Sequence, residues 1–141
     1  MQPSANFPYS QQRTQPTSSA AHSVVRALTL TYSVVPIVAG LDKFTNLLTK
    51  WEAYLAPGIV KVLPVPAHTF MMIVGVIEVI AGILVFARPR IGAWVVMAWL
   101  LCIAATLIIG GHYYDVAVRD VAMAMGAWSL ARLSSAPESH S

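Results

Sequence analysis

Thr69–Ala87 reads TFMMIVGVIEVIAGILVFA, nineteen residues with one charge, Glu78, at their centre. A helix of that length rises about 28 Å at ~1.5 Å per residue, close to the ~30 Å hydrocarbon layer of a bilayer. The run is followed by Arg88-Pro89-Arg90 and then by Ile91–Ile109, which carries no charge at all. Two apolar segments joined by three residues predict a tight helical hairpin. Working outward, Val24–Leu41 upstream and Val116–Leu133 downstream are apolar runs of similar length. Pro36 in the first is expected to kink it. The sequence therefore predicts an all-α integral membrane four-helix bundle with spans at about 24–41, 69–87, 91–109 and 116–133.

Composition agrees. Of 141 residues, 57% are hydrophobic and 11% charged, whereas soluble domains carry about a quarter charged residues. Residues 1–22, rich in Ser, Gln, Pro and Thr, read as a disordered polar tail, and 134–141 as a short disordered tail. Arg26, the apolar stretch after it and Ala39-Gly40 also have the elements of a secretory signal. The leading tail is long for one, so the segment is read as a retained helix. The net charge of +3 is not gathered into a basic patch interleaved with aromatics, so no nucleic-acid partner is expected. The single cysteine, Cys102, excludes a disulfide framework or a dithiol within one chain and reads as a small buried hydrophobe.

Four spans put both ends of the chain on one side. That side holds Arg13, Arg26, Arg88, Arg90 and Arg132 against Glu138. The opposite side holds Lys43, Lys50, Lys61 and Arg119 against Asp42, Glu52, Asp115 and Asp120. Basic residues in a short turn favour the cytoplasm, so both termini are expected there. Between the first two spans, Phe44, Leu47, Leu48, Trp51 and Leu55 share one face at helical spacing. They predict an amphipathic interfacial helix over about 43–56, capped by Asp42, ended by Pro57-Gly58, and anchored by Phe44, Trp51 and Tyr54.

Glu78 is the residue that most needs a physical explanation. A carboxylate at mid-bilayer costs about 2.5–3.5 kcal/mol on insertion scales, so it must be neutral, paired or facing water. Gly75 and Gly82 share its face and allow a neighbouring helix to approach. Two readings stand: a protonated carboxyl bonded inside the bundle, or a proton relay or hydrogen-bond partner for a quinone-like head group. Arg119 and Asp120 open the last span after His112-Tyr113-Tyr114-Asp115. Arg119 is placed to reach Glu78, Asp42 or Asp115, either as an ion-pair staple or, with Tyr113 and Tyr114, as an anion or head-group site. His68 and His112 match no metal-ligand spacing, so no metal is expected. Trp94, Trp99 and Trp128 read as packing or lipid contacts.

The elements Gly40-Leu41-Asp42-Lys43-Phe44 with Trp51-Glu52-Ala53-Tyr54-Leu55, the central Glu78 between Gly75 and Gly82, and Tyr113-Tyr114-Asp115 with Arg119-Asp120 resemble the DoxX-like family of small bacterial membrane proteins. The resemblance covers roughly residues 40–133. It implies a four-helix inner-membrane bundle acting as an accessory or anchoring subunit of a respiratory or other redox complex, with other membrane proteins or further copies of itself as partners and a quinone as the cofactor nearest to hand. The chain shows neither a haem-ligand pair across helices nor a dithiol for electron transfer of its own. A small proton-coupled transporter using Glu78, or a quinone-coupled oxidoreductase subunit, are the alternative functions.

Overall fold

A computed structural model describes residues 16–135; the sequence readings for 1–15 and 136–141 lie outside the described residues. The described chain is helical, in the order α1 (Pro16–Thr45), a 3-10 turn (Trp51–Tyr54), α2 (Pro57–Val62), α3 (Ala67–Ala87), α4 (Pro89–Gly110) and α5 (Tyr114–Leu133). Among the described residues, three helices are long and apolar enough to cross a membrane: Ser19–Thr45 of α1, α3 and α4. Helix α5 is of similar length but carries Asp115, Arg119, Asp120 and Arg132.

Helix α1 packs along α3, α3 along α4, α4 along α5, and α5 closes against α1. Small residues set how closely they approach. A Cβ on Gly40 would come within 2.5 Å of the Gly75 carbonyl oxygen, and one on Gly82 within 2.6 Å of that of Ser33. The glycine face around Glu78 is thus the α1 contact. Where α3 turns into α4, Arg88 caps one helix and Pro89 opens the next, and Gly92 lies against the Val85 backbone with no room for a side chain. The core is built from Val85, Ala93, Val96, Ala124, Ala127, Leu130 and Ala131. Tyr32 of α1 joins it and donates its hydroxyl to the Met123 carbonyl of α5 at 2.5 Å.

Several expectations need correction. Residues 16–22 of the expected disordered tail are helical, because α1 begins at Pro16. No amphipathic helix occupies 43–56. Instead α1 continues to Thr45, Asn46 adopts a left-handed conformation at φ 52°, and its N–H bonds the Asp42 carbonyl at 2.6 Å, stopping the helix. The strap that follows is a loop, one 3-10 turn and the two turns of α2. The apolar spacing of Phe44, Leu47, Leu48, Trp51 and Leu55 therefore does not mark one helical face. Pro57 opens α2 rather than ending a helix. Cys102 is exposed on α4 instead of buried.

Candidate functional site

Gly40 and Gly75 bring the α1 and α3 backbones together, and at that crossing α1 delivers Lys43 onto α3. Lys43 is 3% exposed. Its ammonium reaches Glu78 Oε2 at 2.6 Å, with side-chain exposures of 4% and 12%. At this burial the pair escapes most solvent screening, and the mutual attraction offsets part of the desolvation cost of each charge. Glu78 therefore belongs among the paired carboxylates, with a partner thirty-five positions away in the chain.

The strap closes over this pair. The Lys43 ammonium lies 3.7 Å from the Trp51 ring centroid, a cation–π contact strengthened by exclusion of water. Asp42, 6% exposed, holds the tryptophan in place. Its carboxylate accepts from Trp51 Nε1 at 2.8 Å, from the Leu47 and Leu48 N–H groups and from the Thr45 hydroxyl. It caps the turn that leaves α1 rather than the start of a helix. Trp51 thus forms a lid on a buried ion pair. Phe44 faces outward, and Tyr54 turns its ring to Tyr113, 4.8 Å between centroids.

Outside the lid, Glu52 accepts from Asn46 Nδ2 at 3.4 Å and meets His68 Nδ1 at 2.6 Å. The bond to His68 holds the Glu52 carboxyl below the ordinary glutamate range. This clasp ties the strap to the first turn of α3. His112 bonds the Gly110 carbonyl, so the two histidines serve different ends. No three His, Cys, Asp or Glu side chains converge to hold a metal among the described residues.

Helix α5 brings one further acid. Asp120 is 5% exposed, faces the bundle with Ala117 and Ala124 and lies within electrostatic range of Glu78. Arg119 does not reach Glu78, Asp42 or Asp115; it stays exposed with Nε 3.7 Å from Asp120 Oδ1. Tyr113, Tyr114 and Asp115 are exposed, with Tyr113 in a left-handed conformation that starts α5. Among the tryptophans, Trp94 and Trp128 face outward, and the buried Trp99 Nε1 finds no acceptor among the described residues.

The sequence reading missed Lys43 as a site residue. Its only local signal is adjacency to Asp42 beyond an apolar run. Compared with protein-family models, with curated proteins and with solved structures, the chain finds no match in any of the three.

Proposed function

We propose that the chain is a four-helix integral membrane protein of a bacterial inner membrane, both termini cytoplasmic, acting as a non-catalytic accessory or anchoring subunit of a respiratory or other redox complex in the manner of DoxX-like proteins. In this reading α5 is the fourth span, with Asp120 turned inward and Arg119 and Arg132 at its two ends. One observation carries the proposal: the Lys43–Glu78 pair and Asp42 are satisfied inside the chain while the long helices present apolar surface outward. Lys43 neutralises Glu78 beneath Trp51, and Asp42 is saturated by donors from its own strap. In the most apolar stretch of α1, α3 and α4, only 17%, 33% and 28% of residues are buried inside the chain. That leaves broad apolar faces for lipid, for larger membrane proteins or for a second copy.

The test is purification of the full chain from its native membrane in mild detergent, with identification of what comes with it. Redox proteins in stoichiometric amount are expected. A monodisperse monomer with no companion overturns the accessory role.

Asp120 favours a second reading. A second buried acid on α5, within electrostatic range of the Lys43–Glu78 pair, suits a proton-coupled carrier working through Glu78. Under that reading Glu78→Gln abolishes proton or solute flux at unchanged abundance. Under the accessory reading the same variant lowers abundance. A quinone head group close to Glu78 belongs to the oxidoreductase version of the idea, and quinone recovered with the purified protein tests it.

A further inference from the structure

Four arginines take no part in the site. Arg26, Arg88, Arg90 and Arg132 are all exposed, and none forms an ion pair among the described residues. Helix packing sets them at one level. Ser33 of α1 lies beside Gly82 of the antiparallel α3, so seven residues further along that register Arg26 comes level with Pro89, between Arg88 and Arg90. Tyr32 of α1 bonds the Met123 carbonyl of α5, and following that antiparallel register six residues brings Arg26 level with Ser129, within a turn of Arg132. The four side chains thus ring the end of the bundle where α1 enters, α3 turns into α4, and α5 leaves.

Two features separate this ring from a scatter of surface charge. The first is its balance: every described acid, Asp42, Glu52, Glu78, Asp115 and Asp120, lies mid-helix or toward the other end. The second is its chemistry. All three lysines, Lys43, Lys50 and Lys61, sit on the far side, and every described Lys or Arg of this end is an arginine. The rule that places positive charge on the cytoplasmic side counts Lys and Arg alike, so it does not account for the segregation. A guanidinium differs from an ammonium in its planar fork, which grips phosphate with two parallel hydrogen bonds. At the end of a membrane span the phosphates at hand are those of lipid head groups.

We propose that Arg26, Arg88, Arg90 and Arg132 form a collar that binds the phosphates of an anionic phospholipid, with Arg88 and Arg90 gripping from the rigid turn between α3 and α4. The collar relieves the mutual repulsion of four like charges by supplying their counter-anion from the bilayer. It rests on the reading of the helices as spans and is independent of the role as a subunit.

The experiment titrates the purified full chain, in neutral-detergent micelles, with diphosphatidylglycerol, phosphatidylglycerol, phosphatidylcholine and inorganic phosphate, reading bound lipid by native mass spectrometry. The diphosphate lipid is expected to bind tightest, with phosphatidylcholine and inorganic phosphate leaving no stoichiometric adduct. Arg88→Gln with Arg90→Gln weakens binding by about 25-fold, at about fivefold per charge lost. Arg88→Lys with Arg90→Lys keeps the charge and the topology and still weakens binding several-fold. Equal binding of phosphatidylcholine, full binding by the lysine variant, or capture of inorganic phosphate each overturns the proposal. Preference for soluble polyglutamate over lipid also overturns it and reassigns the face to an acidic protein. A chain that stays in solution without detergent would instead refute the spans themselves, so the two failures are distinguishable.

Discussion

The α1–α3 and α4–α5 pairs are both antiparallel and closely packed, but they are held by opposite chemistries. Glycines at Gly40, Gly75 and Gly82 bring α1 against α3, and the closeness is used to bury Lys43 on Glu78 under Trp51. Between α4 and α5 the contact is made by Ala93, Val96, Ala124, Ala127, Leu130 and Ala131, with no charged member. The first seam is directional: the ammonium meets the carboxylate in one register only. The apolar contacts of the second carry no charge pair of their own to fix a register. A bundle built this way takes its alignment from one seam and adds packing through the other.

The sharpest way to break this contrast is to unpair the ionic seam. Lys43→Met leaves the Glu78 carboxylate without its cation, and is expected to cost about 3–5 kcal/mol of stability in detergent unfolding. The double variant Lys43→Met, Glu78→Met should recover most of the loss, since an apolar pair of similar volume needs no compensation. A single variant as stable as the parent would show that Glu78 is satisfied by something other than Lys43.

A smaller effect is expected in the apolar seam. Leu130 is fully buried, yet lipid tails are as apolar as leucine, so truncation in a membrane forfeits packing more than transfer energy. Leu130→Ala should cost roughly 2 kcal/mol in the same unfolding measurement. No second substitution should rescue it by charge matching. A loss equal to that of Lys43→Met would erase the distinction between the two seams.

The contrast also explains how much was legible in the sequence. The long apolar runs and the three-residue turn at Arg88–Arg90 stand out locally, since a span is defined by its own residues. Glu78 stands out for the same reason, as a charge where charges are costly. The face shared by Gly75 and Gly82 is equally local, and it does receive a helix. What the sequence could not display is Lys43 as the answer to Glu78, because that pairing exists only once the glycines have brought two distant helices together. The strap misled the periodicity reading for a related reason. At helical spacing Asp42 looks like the cap of a new helix, but tertiary contacts make it a bracket for Trp51, which covers the buried pair. Asn46, whose left-handed backbone ends α1, carries a turn signal that the apolar spacing outweighed.

The mildest perturbation reaches only the ionic seam, through the clasp that holds its lid. Glu52 is bonded to His68, and that bond keeps its carboxyl below the ordinary glutamate value of 4.5. A depressed carboxylate contributes stability that is fully present above its unfolded value and is lost as the pH falls through the folded one. The parent should therefore exceed Glu52→Gln in thermal midpoint at neutral pH, and the gap should close below about pH 4.5. The exposed position of the pair keeps the gap small. Quenching of Trp51 fluorescence by an aqueous quencher should rise over the same acid range in the parent, because the strap loses its tie to α3. In Glu52→Gln the quenching should already be raised at neutral pH and change little on acidification. The α4–α5 seam takes no part in the Glu52–His68 clasp, and its apolar contact from Ala93 to Ala131 should show no matching response. A pH-dependent loosening of α4 from α5 in step with the strap would mean that the two seams open as one unit, and the division of labour between them would fail.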